Sequence, residues 1–311
     1  MNGVIILDKP AGWTSHDVVS RMRRILGQRS IGHLGTLDPL ATGVLPLVTG
    51  SLTRLAQFYT ASEKTYEGVI RFGFATNTYD ADGDPLGEQT SVSPTLEQLQ
   101  KLAAPFVGLI EQVPPPFSAK KINGVPAYKL ARKKQEVNLK PVPVEIKEFL
   151  ILSVDADRAH FCARVASGTY MRSVAHEMGQ RLGPGAHLES LRRTAVAEFE
   201  IAQAHTLEEI EGQIKDCDSE PGRKPVEEPG LSCRERRSSL FVHPRQLLPQ
   251  FPSVTADEPT AARIRSGRPV NLPNVSRARQ VKVFHGQSDL IAIATRVAGT
   301  LFHPKIVFPT G

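Results

Sequence analysis

The sequence predicts an α+β protein with two parts, a larger region of mixed strands and helices and a small β-rich module at its C-terminal side. Three observations lead to this prediction. The chain has 311 residues, more than one ordinary domain holds. Strand-like and helix-like patterns alternate through the first 211 residues. Short strands separated by turn signals then fill the stretch VKVFHGQSDLIAIATRVAGTLFHPKIVF.

The first elements are a strand, a turn and a helix. VIILDKP is typical of a short strand that ends in a proline turn, and Thr14 or Ser15 can cap the helix that follows. Apolar residues at helical spacing continue to Leu26, and Gly27 ends the helix. The arginines near this helix form either a solvated face or a ridge that contacts phosphates. They are Arg21, Arg23, Arg24 and Arg29.

The middle of this region alternates strands with helices. VLPLVTG predicts a buried strand, LTRLAQFY a helix, and TYEGVIRFGFAT a strand whose alternating residues share one face. SPTLEQLQKLAAPFVG predicts a helix, and HFCARVASGTYMRSVAHEMGQRLG predicts a strand, a tight turn and a helix. HLESLRRTAVAEFEI returns to a strand. The apolar stripe of the second helix predicts core packing: Met171, Val174, Ala175, Met178 and Leu182.

Two polar stretches interrupt these patterns. Residues 113–144 are rich in proline and lysine, so we expect either a mobile clamp for a polyanion or a surface insertion. Residues 212–239 are dominated by charge, proline and glycine, and we expect a disordered linker or insertion there. The predicted units are therefore a region at 1–211 and a β-rich module at 240–311, joined by this linker.

Composition restricts the class of protein. The net charge of +6 and the pI of about 9.3 favour a polyanionic partner. Three cysteines, with no CxxC pair, argue against a disulfide framework or a zinc knuckle. The apolar run after Met1 is too short for a signal peptide or a membrane span, so we expect a cytoplasmic protein without a membrane segment.

The glycine-rich stretch GHLGTLDPLATG contains the best candidate for chemistry, Asp38. No Gly-Lys-Ser/Thr follows its glycines, and the chain has no GxGxxG, HExxH or GxSxG pattern. Gly32, Gly35 and Gly43 let the backbone approach a large ligand closely, and Pro39 favours extended backbone at Asp38. The residues alone leave two interpretations, a nucleophile or base and a turn-forming aspartate.

GHLGTLDPLATGVLP resembles the signature of the TruB family of tRNA pseudouridine synthases. Further stretches match the family in order over most of residues 3–210 and more weakly over 240–311. They are GVIILDKPAGWTSHDVV, KTYEGVIRFGFATNTYDADG, VPPPFSAKKINGVPAYKLAR, SGTYMRSVAHEMGQRLGPGAHLESLRRTAVAEF and RSGRPV. The resemblance implies the pseudouridine synthase fold, with a mostly antiparallel central sheet, flanking helices and a C-terminal PUA-like barrel module.

The resemblance also implies a role for each matching residue. Asp38 matches the catalytic aspartate, Tyr66 the tyrosine that stacks on the target base, and Arg172 the arginine that pairs with the aspartate. Four others match residues around the base. Tyr170 lines the pocket, Leu191 packs near the base, His33 fills the place of the flipped nucleotide, and Lys9 is a basic residue near the site.

The activity implied is conversion of uridine to pseudouridine in the T loop (position 55) of tRNA, by a monomer without cofactor or metal. The sequence leaves open whether Asp38 attacks the sugar, attacks the base or removes a sugar proton. Two other functions remain, a non-catalytic tRNA-binding or folding protein and a guide-RNA-dependent synthase. A glycoside hydrolase needs a second carboxylate across the cleft, where the matched motifs supply Arg172 and Tyr66.

Overall fold

The structure is a computed structural model that describes residues 1–118, 120–122, 124–133, 135, 137–218, 238–272 and 278–309. Its strands are β1 Gly3–Lys9, β2 Ile31–His33, β3 Thr42–Thr49, β4 Lys64–Phe72, β5 Ala75–Thr76, β6 Pro85–Leu86, β7 Gly108–Gln112, β8 Lys121–Ile122, β9 Val125–Pro126, β10 Val142–Asp155, β11 Arg158–Val165, β12 Ala186–Val196, β13 Phe199–Glu200, β14 Ser253–Ala256, β15 Val270–Asn271, β16 Gln280–His285, β17 Asp289–Ala298 and β18 Leu301–Val307. The α-helices are α1 Ser15–Ile25, α2 Ala56–Tyr59, α3 Leu96–Ala103, α4 Ala127–Arg132, α5 Met171–Leu182, α6 Leu207–Asp218 and α7 Glu258–Arg265. Four 3₁₀ helices span Gly50–Leu55, Ala104–Phe106, Ile201–Gln203 and Pro244–Gln246.

The central sheet has nine strands, seven of them in the order β1-β3-β12-β4-β11-β10-β7. Strand β2 pairs with β3, and β13 pairs with β12. All pairs are antiparallel except the short parallel contact between β3 and β12. The prediction of a mixed, mostly antiparallel sheet is therefore confirmed.

Strands β1 and β3 are buried on both faces. Successive residues of a strand point to opposite faces, so each strand supplies two cores. In β3, Leu45 and Leu47 pack into the core shared with α1 and α5, whereas Val44 and Val48 pack into a second core on the opposite face. This explains why VLPLVTG is apolar throughout rather than alternating.

The C-terminal module is a five-stranded sheet in the order β14-β16-β17-β18-β15, as expected for a PUA-like unit. It has a core of its own, yet Phe284 and Ile293 also pack into the second core of the central sheet, together with Val44 and Val48. A buried polar contact joins the two parts. The backbone N–H of Leu248 donates to Glu198 Oε1 at 2.8 Å and to Tyr59 Oη at 3.1 Å.

Helix starts follow the capping signals in the sequence. Thr14 is the N-cap of α1 and exchanges hydrogen bonds with Asp17, and Thr95 does the same with Gln98 at the start of α3. Helix α5 begins directly after Tyr170, and its predicted apolar stripe lies in the core. No helix in the described ranges has the length and apolar character needed to cross a membrane.

The structure differs from the sequence-based expectation at the start of the linker. The predicted linker at 212–239 begins inside α6, because Leu207, Ile210 and Ile214 recur at helical spacing and are buried against the core. Its residues 219–237 lie outside the described part of the chain. The described residues of the stretch 113–144 contain the β8–β9 hairpin, helix α4 and the first residues of β10.

Candidate active site

The loop that carries Asp38 connects β2 to β3 and is held by buried cations beneath it. Arg193, on β12, is fully buried and donates to the carbonyl oxygens of Gly35, Thr36 and Val44 at 3.0, 3.2 and 2.8 Å. Lys9, also fully buried, donates to Pro39 O at 3.2 Å. Both charged groups therefore hold backbone oxygens that the loop itself leaves unpaired.

Gly43 is required where the loop enters β3. Its φ is +97°, in the region that favours glycine, and a Cβ there would lie 2.2 Å from the carbonyl oxygen of Arg193. The two residues pair across the parallel β3–β12 contact. Because these two backbones lie so close, the C-terminal end of the loop packs against Arg193. The side chain of Arg193 also holds Gly35 and Thr36, near the start of the loop.

Asp38 faces Arg172 from across the site. Its Oδ2 lies 2.8 Å from Arg172 Nη2, and the arginine is 5% exposed against 40% for the aspartate. The turn at Asp38 is closed by the backbone, because Ala41 N–H donates to Asp38 O at 3.1 Å. Oδ2 of Asp38 therefore faces the guanidinium, and the carboxylate remains accessible to a ligand.

The guanidinium of Arg172 is held by three further groups. It donates to the carbonyl oxygens of Thr78 and Phe117 at 3.2 and 3.1 Å, and Asp80 Oδ2 lies 3.5 Å from Nη1. Asp80 is buried, and this burial raises its pKa, although the arginine partly opposes the shift. These contacts fix the plane of the guanidinium that faces Asp38.

A cavity of about 460 Å³ opens between Asp38 and Arg172. This size lies within the usual range of sites for small ligands. Six of the seven residues singled out from the sequence line it: His33, Asp38, Tyr66, Tyr170, Arg172 and Leu191. Lys9 does not line the cavity but lies below it, where it contacts the loop backbone.

Aromatic and apolar groups form the remaining walls. Tyr66 on β4 is 8% exposed, and Leu191 lies two residues before Arg193 on β12. Tyr170 exchanges hydrogen bonds with the side chain of Gln112 through its backbone. The cavity thus has apolar surfaces against which a planar ring can pack.

Titratable groups in the walls are shifted by burial. Burial lowers the pKa of His33, so its imidazole is neutral at neutral pH. Burial also lowers the pKa of Lys64, a further cavity residue, to about 8, with Arg193 adding to the shift. The cavity therefore combines one accessible carboxylate with a neutral imidazole and several cations.

Sequence reasoning missed Arg193 and Asp80. Alternation along β12 gives a signal for Arg193, because it shares an inward face with Leu191 and a charged residue there needs buried partners. Asp80 gives no comparable signal, since its stretch DADGDP is typical of any polar hairpin turn.

The arrangement suits acid–base or nucleophilic chemistry on a planar, polar ligand. Asp38 can attack an electrophilic carbon or accept a proton, while Arg172 holds its carboxylate in place. In the described ranges, no three His, Cys, Asp or Glu side chains are arranged to hold a metal ion.

Comparisons with known proteins identify the family. Residues 23–171 match the TruB family pseudouridylate synthase N-terminal domain, and residues 172–227 match the tRNA pseudouridylate synthase B C-terminal domain. The chain is 47% identical to tRNA pseudouridine synthase B of Solibacter usitatus, over 99% of this chain and all of the relative. It is 36% identical to the enzyme of that name from Bacillus cytotoxicus, over 98% of this chain and 94% of the relative.

Solved structures agree in fold. An H/ACA RNP bound to a substrate RNA containing 2′-deoxyuridine matches with a TM-score of 0.70 and 22% identity, over 99% of this chain and 85% of that chain. An archaeal box H/ACA sRNP Nop10–Cbf5 complex matches with a TM-score of 0.68 and 22% identity, over 98% and 85%. These two similarities support the fold alone, whereas the family matches and the curated relatives extend to function. The chain belongs to the TruB family and is a pseudouridine synthase, an isomerase.

Proposed function

We propose that this enzyme converts uridine to pseudouridine at position 55 in the T loop of tRNA, with Asp38 as the catalytic residue. The observation that carries the proposal is the Asp38–Arg172 pair at 2.8 Å in a cavity of about 460 Å³, in a chain of this family. The names of the curated relatives support tRNA as the substrate class.

The geometry is suited to an extruded nucleotide. A base stacked inside a folded loop is not accessible, so the enzyme must flip it out at a cost of a few kcal/mol. Tyr66 can then stack on the base, which returns about 1–3 kcal/mol, and Leu191 can pack beside it. The neutral His33 can occupy the position that the nucleotide leaves, because a neutral ring enters a base stack without a charge to desolvate.

Pseudouridine formation detaches the base from the sugar, rotates it and joins it again through carbon. In this site Asp38 supplies the nucleophile or base, Arg172 orients its carboxylate, and Tyr170 closes the pocket. Lys9 supports the loop backbone from below, as a positioning residue.

The arm, which we define as residues 113–141, is the proposed clamp on the RNA. Six cations are exposed among its described residues: Lys120, Lys121, Lys129, Arg132, Lys133 and Lys140. Lys134, a further lysine of this stretch, lies outside the described residues. The carbonyl oxygen of Phe117, near the start of the arm, accepts a hydrogen bond from Arg172, so the arm begins beside the active site. The C-terminal module would add contacts through Arg279 and Lys305, which line a surface cavity of about 710 Å³.

The protein is proposed to act as a cytoplasmic monomer on free tRNA. A guide-RNA-dependent enzyme and a non-catalytic RNA binder are the alternatives. They are separated by testing the purified protein alone on a T stem-loop transcript, with the product located by carbodiimide mapping or mass spectrometry. We expect stoichiometric pseudouridine at the target position and none when that uridine is replaced by cytidine.

Asp38→Asn tests the assigned residue. This variant keeps the size of the side chain but removes the charge, so we expect it to bind the transcript and form no product. Product formation at the wild-type rate by Asp38→Asn would eliminate the catalytic assignment. Dependence of the wild-type activity on an added guide RNA would favour the guide-dependent alternative.

A further inference from the structure

Outside the catalytic cavity, two aromatic rings stack face to face. The rings of Tyr79 and His176 lie with centroids 3.7 Å apart and an interplanar angle of 9°. Both side chains are half-buried, and neither belongs to the lining of the cavity between Asp38 and Arg172. The proposed function gives this contact no role.

The backbone at Tyr79 adopts a conformation that its side chain disfavours. Its φ is +67°, in the left-handed region where a bulky residue is uncommon. Such a conformation persists only when the surrounding contacts impose it. Backbone bonds to β12 supply part of this constraint, because Leu188 N–H donates to Tyr79 O and Ala81 N–H donates to Leu188 O, each at 3.0 Å.

The turn around Tyr79 also supplies two of the groups that hold Arg172. Thr78 O, on one side of Tyr79, accepts a hydrogen bond from Arg172 at 3.2 Å. The carboxylate of Asp80, on the other side, lies 3.5 Å from the same nitrogen of the guanidinium. The backbone conformation of Tyr79 therefore determines where Thr78 O and the Asp80 carboxylate lie relative to the Arg172 guanidinium.

His176 is placed to hold this turn. It follows Arg172 by four residues on α5, and side chains at that spacing project from the same face of a helix. The turn consequently meets α5 at two adjacent points. At one of them Thr78 and Asp80 contact the guanidinium, and at the other Tyr79 stacks on the imidazole.

We propose that the Tyr79–His176 stack is a positioning device for catalysis. It fixes the turn of residues 78–80 against α5 and, through that turn, the orientation of the Arg172 guanidinium toward Asp38. This inference rests on the proposed function, because it acts through the Asp38–Arg172 pair. A displacement of about 1 Å at reacting groups can slow an enzyme by about a hundredfold, so loosening the turn has a measurable effect on rate.

The test separates the ring of Tyr79 from its backbone conformation. Glycine adopts positive φ without strain, so Tyr79→Gly keeps the turn conformation accessible and removes only the stack. We expect Tyr79→Gly and His176→Ala each to lower the single-turnover rate on a T stem-loop transcript by about tenfold. The dissociation constant for the transcript should stay within about twofold, because neither ring lines the cavity.

Rescue and coupling distinguish positioning from a general loss of structure. Tyr79→Phe and His176→Phe retain a ring at each position and should keep the wild-type rate within about threefold. The double variant Tyr79→Gly/His176→Ala should be no slower than either single variant, because the two rings act as one unit. Glu177→Ala, on the same helix but paired with Arg181, is the matched control and should leave the rate unchanged.

Each outcome has one meaning. Wild-type rates for Tyr79→Gly and His176→Ala, with Asp38→Asn inactive, would overturn the positioning role and leave the proposed function intact. The positioning role would also be overturned if the losses of rate in the two single variants added up in the double variant. The same holds if the loss of rate in each variant tracked its thermal midpoint and disappeared on cooling. Activity of Asp38→Asn would instead remove the proposed function on which the inference rests.

Discussion

Buried cations support both walls of the catalytic cavity, but their partners differ. On the wall of the Asp38 loop, Lys9 and Arg193 donate to backbone carbonyl oxygens and thereby hold the shape of a segment rich in glycine. On the facing wall, Arg172 is held between two carboxylates, those of Asp38 and Asp80. The first wall uses its cations to fold the loop, and the second uses its cation to orient the reacting group. Changes on the first wall should therefore alter stability and rate together, and conservative changes on the second should alter mainly the rate.

The largest effect is expected on the second wall. Arg172→Lys keeps the positive charge but cannot reach Asp38, Asp80 and the two backbone carbonyls with one ammonium group. We expect the single-turnover rate to fall by about a hundredfold or more, with a small change in thermal midpoint. A rate within threefold of wild type would show that charge alone, without the planar fork, is sufficient on this wall.

A smaller loss of rate, with a clear loss of stability, is expected on the first wall. Arg193→Met preserves bulk but leaves the carbonyl oxygens of Gly35, Thr36 and Val44 without their donor. We expect the free energy of unfolding in urea to fall by about 3 kcal/mol and the rate to fall by about tenfold.

The neighbouring residue supplies the control for that experiment. Arg192 lies on the other side of β12, is 42% exposed and pairs with Asp8. Because exposed ion pairs contribute little, Arg192→Met should change stability by less than about 1 kcal/mol. Equal losses for Arg192→Met and Arg193→Met would contradict the role assigned to the buried donor.

The first wall should also respond to pH. Burial lowers the pKa of Lys9 from its usual 10.5 to about 8, so the group is charged below that pH and loses one donor above it. Activity should therefore fall as the pH rises through about 8, by about fivefold if one hydrogen bond of about 1 kcal/mol is lost. The measurement is the single-turnover rate from about pH 6.5 to 9.5.

Lys64 complicates this profile, because its pKa is also lowered to about 8. The variant Lys64→Met removes that contribution and should keep the alkaline fall in rate. Disappearance of the fall in Lys64→Met would assign it to the cavity residue rather than to the loop support.

The smallest effect on rate is expected in the arm behind the second wall. Changing Lys120, Lys121 and Lys133 to glutamine should weaken binding of the transcript while leaving the rate at saturation unchanged. Each lost phosphate contact should lower the slope of log affinity against log salt by roughly 0.7–0.9. Lys101→Gln, on α3 and paired with Glu97, should leave the slope unchanged. An unaltered slope for the arm variant would remove the clamp assignment.

Sequence patterns predicted most elements, because burial follows simple periods. Helix α5 was predictable from its stripe of apolar residues, and β3 from its uninterrupted apolar run. Helix α6 was not predicted, because the polar and charged residues after Glu211 obscured Ile214, which lies at helical spacing from Ile210. For the site, motif resemblance brought together the residues around Asp38. It did not supply Asp80 or the stack at Tyr79, because contacts between a hairpin turn and a distant helix leave no period in the sequence.

The junction between the two sheets limits how this chain can be divided. Leu248 N–H is shared by Tyr59 and Glu198, and Phe284 fills a core that also contains Val44, next to the active-site loop. Truncation before the C-terminal module would remove the Leu248 N–H that donates to the half-buried Glu198 and would expose apolar surface under the loop. Loss of activity in such a truncated enzyme would therefore give no information about RNA contacts made by the C-terminal module. The contribution of the C-terminal module to RNA binding is better tested by point substitutions on its outer face. Exchange of the module for the equivalent one of a relative is a second test.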